Sequence, residues 1–107
     1  MGIYTTKPIK ELILSEFKEL CNDKTITVSP HALDHLSKNQ RKVFKEDELI
    51  RMVEKESARK IYLQENRRYA AYYRRKDGYR KVIIDMEEGK LIIVSFVDTI
   101  EIPRIKL

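Results

Sequence analysis

Residues 60–97, KIYLQENRRYAAYYRRKDGYRKVIIDMEEGKLIIVSFV, decide how this chain folds. Upstream, apolar residues recur at helical spacing; here they alternate with a period of two. Turn-forming residues break the alternation at Glu65-Asn66-Arg67, Lys76-Asp77-Gly78 and Glu87-Glu88-Gly89-Lys90. The spacing predicts four strands, Lys60 to Gln64, Tyr69 to Arg75, Tyr79 to Met86 and Leu91 to Val97, and connectors this short make neighbours antiparallel. In the third strand Val82, Ile84 and Met86 alternate with Lys81, Ile83 and Asp85, so one face belongs to the core and the other carries charge. The fourth strand is apolar on both faces except at Ser95, the pattern of an inner strand.

On the N-terminal side, Pro8 and the helically spaced Ile9, Leu12, Ile13, Phe17 and Leu20 predict an amphipathic helix over Lys7 to Leu20. Thr25 to Val28 is a short β-branched run suited to an edge strand. Ser29 and Pro30 open a second helix, with the serine as cap and Ala32, Leu33 and Leu36 as apolar contacts. A third helix follows over Glu46 to Lys55, acidic at its start and burying Leu49, Ile50, Met52 and Val53. On the C-terminal side Pro103 ends regular structure, and Ile102, Ile105 and Leu107 are apolar enough to cover an edge or a partner. The expected fold is α+β: one domain over residues 1–107, with N-terminal helices packed on one face of a four-stranded antiparallel meander. Residues 1–22 hold the additional N-terminal helix and residues 99–107 a C-terminal tail.

The chain carries 22 Lys and Arg against 17 Asp and Glu, and the excess is local. From Ala58 to Lys81 there are nine basic residues and two acids, whereas residues 1–57 balance ten against ten and residues 82–107 hold three against five. Tyr69, Tyr72, Tyr73 and Tyr79 interleave with Arg67, Arg68, Arg74, Arg75, Arg80 and Lys81, pairing flat stacking surfaces with phosphate-seeking charge. RNA is the expected polyanion, with the arginines and Lys81 on phosphate and Tyr72 or Tyr73 stacking a base. The alternative is a solvated sheet face laced with ion pairs, but such networks need acids and this stretch has almost none. Alternation puts Arg74 with Tyr72 on one face and Arg75 with Tyr73 on the other, so one pair is structural.

Cys21 is the only cysteine, which excludes an intrachain disulfide and suits a reducing compartment. No apolar run approaches the roughly 18 residues of a membrane span, so a cytoplasmic protein without membrane contact is expected. The 36% of charged residues, with three Asn and two Gln, resembles hyperthermophile composition. His31 and His35 share a helix face at i, i+4, yet no third metal ligand accompanies them, and no cofactor is expected. The basic run Lys38, Arg41, Lys42 and Lys45 is followed by Glu46, Asp47 and Glu48, which favours a solvated loop.

Ser29-Pro30-His31-Ala32-Leu33-Asp34-His35-Leu36 resembles the S-x-H-A-x-x-R-M helix opening of a small uncharacterised domain family near the RelE and ParE toxins. Leu91-Ile92-Ile93-Val94-Ser95-Phe96 is similar to that family's final strand, and the resemblance covers about residues 25–98. It implies a RelE/barnase-type fold with helices on one sheet face and RNA on the other. It also implies a toxin-type endoribonuclease that works without a metal, with His31 at the family's helix histidine; basic residues of the sheet, Arg74 or Lys81, are expected to act with it. Ser95 matches the family's late-strand hydroxyl, and the chain departs from the pattern at Asp34-His35. A non-catalytic module whose basic sheet binds RNA or an acidic, antitoxin-like protein is the alternative.

Overall fold

A computed structural model describes residues 7–30, 32 and 46–105. Its sheet has six strands: β1 (Pro8–Leu12), β2 (Thr25–Val28), β3 (Lys60–Gln64), β4 (Tyr69–Arg75), β5 (Gly78–Glu87) and β6 (Lys90–Thr99). Their order across the sheet is β1-β3-β4-β5-β6-β2, and all neighbours are antiparallel except β2 with β6. Two helices are described, α1 (Leu14–Cys21) and α2 (Glu46–Lys55). The expected four-stranded meander under N-terminal helices is therefore corrected to a mixed six-stranded sheet, because the N-terminal third contributes a strand to each edge.

The first half of the expected N-terminal helix is β1. Helical spacing of Ile9, Leu12, Ile13, Phe17 and Leu20 suggested one buried stripe, but only Leu12 and Phe17 are buried, and Ile9, Ile13 and Leu20 are exposed. Backbone demand explains the outcome. Without β1, strand β3 would present a row of unpaired N–H and C=O groups, and Pro8, which lacks an N–H, is tolerated on an edge. Leu12 pairs with Ile61 and Glu11 with Tyr62, while a bulge between Pro8 and Lys10 absorbs one extra residue. Lys60 Nζ meets Glu11 Oε2 at 3.0 Å across this edge. α1 begins only at Leu14, where the Ile13 N–H donates to Glu16 Oε1 at 3.1 Å. It ends at Asn22 and Asp23, the latter at φ 62.

α2 carries Glu46, Asp47 and Glu48 in its first turn and Lys55 in its last, each sign complementing the helix dipole. Leu49, Met52 and Val53 face the sheet. With Leu12, Phe17, Ile61, Ala71, Tyr73, Val82, Ile84, Leu91, Ile93 and Phe96 they form the main core on the helix side. Ile93 and Phe96 reach that core together, although three residues apart, because a bulge shifts the register: Ile84 pairs with Ile93 and Ile83 with Ser95. The opposite face has its own smaller cluster of Tyr62, Ala70 and Tyr72, on which Ile102 and Ile105 of the C-terminal tail pack. The tail thus covers a face of its own sheet.

Of the helix expected from Ser29-Pro30 onward, Ser29, Pro30 and Ala32 are described, with the Ala32 N–H donating to the Ser29 carbonyl at 2.9 Å in a turn. Its remaining expected residues, Leu33 and Leu36 among them, lie outside the described residues, as do His31, His35, Lys38, Arg41, Lys42, Lys45 and Leu107. None of the described helices is long and apolar enough to cross a membrane.

Candidate polyanion-binding face

The two-residue period of β4 and β5 divides the basic stretch between opposite sides of the sheet. Ala71 and Tyr73 of β4 and Val82 and Ile84 of β5 belong to the helix-side core, whereas Ala70 and Tyr72 belong to the tail-side cluster. Arg80 and Arg75 accordingly lie on the helix side, and Tyr72, Arg74, Tyr79 and Lys81 on the tail side. The pair assigned to structure is Tyr73 with Arg75.

On the helix side the charges are matched. Arg80 is 8% exposed; its Nε donates to Asp98 Oδ1 at 2.7 Å and its Nη2 to Asp98 Oδ2 at 3.2 Å. The guanidinium lies 5.4 Å from the centre of the Phe96 ring. Arg75 Nη1 donates to Glu56 Oε1 at 2.8 Å and to the Arg74 carbonyl at 2.6 Å. Tyr73 is 1% exposed and belongs to the core. Both acids lie outside the basic stretch, which is why local charge counting made Arg75 and Arg80 look uncompensated.

On the tail side, strand register sets Lys60, Tyr72, Lys81 and Val97 in one row, and Glu11, Tyr62, Ala70, Ile83 and Ser95 in the next. Arg74 pairs with Tyr79, one step beyond Tyr72, and so is a diagonal neighbour of Lys81. Its guanidinium lies 5.2 Å from the Tyr79 ring centre and donates through Nη1 to the Gly78 carbonyl at 3.1 Å. Lys81 Nζ stands 5.8 Å from the centre of the Tyr72 ring. Burial lowers its pKa from the ordinary lysine value, and no carboxylate among the described residues pairs with it.

Lys81 lines a cavity of about 210 Å³ that Tyr62, Gln64, Tyr72, Pro103 and Ile105 help to enclose. Gln64 is 6% exposed. The Tyr62 and Tyr72 rings meet edge to face at 6.2 Å, and burial raises the pKa of both phenols, keeping them protonated. Tyr72 is 2% exposed, so neither it nor Tyr73 offers a free ring face to a base. Tyr72 instead forms the aromatic support of Lys81. Gln64 and Tyr62 were not legible as site residues, because only the β1–β3 pairing and the returning tail enclose them. The Tyr72–Lys81 contact was more accessible: a two-residue turn at Lys76-Asp77 pairs Arg75 with Gly78 and hence Tyr72 with Lys81.

Arg67 and Arg68 occupy the β3–β4 turn, where Arg67 takes φ 72 and the Arg68 N–H donates to Asn66 Oδ1 at 3.0 Å. The length of β4, roughly 20 Å at strand rise, separates them from Arg74. The expected binding set is thus divided three ways: Arg67 and Arg68 at one end, Tyr72, Arg74 and Lys81 on the tail-side face, and Tyr73, Arg75 and Arg80 on the helix side. Of the expected catalytic residues, Arg74 and Lys81 come together, and His31 lies outside the described residues. Comparisons with protein-family models, curated proteins and solved structures give no match.

Proposed function

We propose that this chain binds single-stranded RNA, with phosphates taken by Lys81 and Arg74 on the tail-side face and by Arg67 and Arg68 at the β3–β4 turn. The observation that carries the reading is Lys81, a half-buried cation with no carboxylate among the described residues to offset its desolvation. An RNA phosphate supplies that missing charge. Of the nine cations between Ala58 and Lys81, three (Lys60, Arg75 and Arg80) pair with Glu11, Glu56 and Asp98. The other six have no carboxylate partner among the described residues, and they include all four proposed phosphate contacts. The resemblance to the family near the RelE and ParE toxins supports RNA over another polyanion.

Binding of a labelled oligouridylate of about 12 nucleotides, followed by fluorescence anisotropy from roughly 50 to 300 mM salt, tests this. Affinity is expected to fall steeply with salt. Replacing Arg74 and Lys81 together by alanine should lower affinity at least tenfold and reduce the logarithmic salt slope by about 1.4, since each phosphate contact on a single strand contributes about 0.7. The Lys81 contribution should also fade as pH rises through its lowered pKa, at lower pH than for an ordinary lysine. A salt-independent affinity, or one unchanged in the double variant, rejects the reading. Saturable binding of an acidic peptide with none of RNA would assign the face to a protein partner.

A second reading, metal-independent RNA cleavage, is favoured by the diagonal placement of Lys81 and Arg74 on one face, where two cations can share the charge that develops on a phosphate. Cleavage of labelled RNA in excess EDTA should persist in the wild-type protein and fall about 100-fold or more in Lys81→Ala and in His31→Ala. Equal rates in variant and wild type remove that residue from the chemistry. Absence of cleavage leaves the binding module.

A further inference from the structure

A second cavity, of about 250 Å³, opens on the helix side between α1, β2 and α2. Leu14, Phe17, Val53 and Ala58 give it apolar walls, and Tyr73 and Cys21 also line it. The Tyr73 hydroxyl is buried and makes no hydrogen bond, the one side-chain polar atom in that condition among the described residues. Natural interiors rarely leave a phenol unpaired, because its lost water contacts are then not replaced. The strand places it there for packing: Tyr73 lies on the core-facing side of β4.

We propose that this cavity binds a small, neutral organic molecule with a carbonyl or similar acceptor, which takes the hydrogen bond that the Tyr73 hydroxyl offers. Size permits a single substituted ring, since a cavity of about 150 Å³ already holds benzene. The phenol is a donor. Burial foremost, then the proximity of Cys21 and of the Glu56 carboxylate, raises its pKa well above the ordinary tyrosine value, while Arg75 opposes this more weakly. Cys21 is likewise neutral, its pKa pushed up to about 11 by burial against a smaller opposing pull from Lys24. Glu56 near the hydroxyl is already paired with Arg75, so neither is left to hold an ionic ligand head, which selects a neutral acceptor. Lys18, Lys24, Asp23 and Glu54 also line the cavity, so a polar outer end of the ligand finds both signs of charge.

Acetophenone and ethylbenzene are nearly isosteric probes that differ in the acceptor. Titrated into the wild-type protein and followed by NMR shift changes, acetophenone is expected to bind about tenfold more tightly, the worth of one buried hydrogen bond. In Tyr73→Phe, which keeps the ring and removes only the unpaired hydroxyl, the ratio should fall to about one. Bound acetophenone should also slow alkylation of Cys21 by iodoacetamide, which locates it in this cavity. Equal affinities in the wild type, a ratio that survives Tyr73→Phe, or binding without protection of Cys21 would each overturn the proposal. No saturable binding of either probe would mean that the cavity takes water only, and would also overturn it.

Discussion

Gly78→Ala is expected to destabilise the fold by about 2–4 kcal/mol, although glycine-to-alanine changes at unstrained sites usually stabilise by about 0.4–1 kcal/mol. Gly78 adopts φ 154, and a Cβ there would run into the Thr99 carbonyl oxygen and lie 3.1 Å from the Ile100 Cα. Both obstacles are backbone, so relief requires moving the end of β6, where the tail departs. Gly89→Ala is the control. Gly89 has φ 74 but open space around its Cα, so its alanine should cost only the left-handed conformational penalty of about 1–2 kcal/mol. Urea unfolding of both variants beside the wild type measures the difference. A Gly78→Ala protein as stable as Gly89→Ala would show that the close approach of β6 is absent in solution.

Ile84→Ala should cost about 2–5 kcal/mol, and its neighbour Ile83→Ala clearly less, about 1–2 kcal/mol. The two residues have the same side chain on the same strand and differ only in the face they occupy. Ile84 is fully buried under α1 and α2 with Val82, Leu91 and Ile93. Ile83 is half-buried in the tail-side cluster beside Tyr79, Ile102 and Ile105, a smaller layer that can collapse on truncation. Denaturant midpoints at equal m-values provide the comparison. Reversal of the order would mean that the principal core lies on the tail side, and the assignment of Lys81 to a secondary, ligand-accessible face would fail with it.

The division between these faces bears directly on the proposed RNA contact. A thick helix-side core holds the sheet rigid, so Lys81 and Arg74 are presented on a frame that does not depend on the ligand. The tail-side layer is thin and supplies only partial cover, which leaves Lys81 half-buried. That intermediate position raises the electrostatic effect of an incoming phosphate, because less water screens the pair.

Local chemistry in the sequence determined a good deal. Alternation and turn residues between Lys60 and Val97 located strands that the structure places at Lys60–Gln64, Tyr69–Arg75, Gly78–Glu87 and Lys90–Thr99, since a period of two and a tight turn are properties of adjacent residues. The acidic opening and apolar face of Glu46–Lys55 were legible for the same reason. The β-branched run Thr25–Val28 was likewise legible as an edge strand, but tertiary structure alone decided its parallel pairing with β6, the fate of Pro8–Leu12 and the sorting of the cations. β1 forms because β3 needs a hydrogen-bonding partner, a demand 49 residues away from Glu11 in the case of its Lys60 contact. Whether an arginine is free depends likewise on acids distant in sequence: Glu56 and Asp98 neutralise Arg75 and Arg80, while nothing described neutralises Lys81. Side-chain periodicity records which face a residue occupies. Backbone pairing and long-range charge decide what that face meets, and neither is written in the order of neighbouring residues.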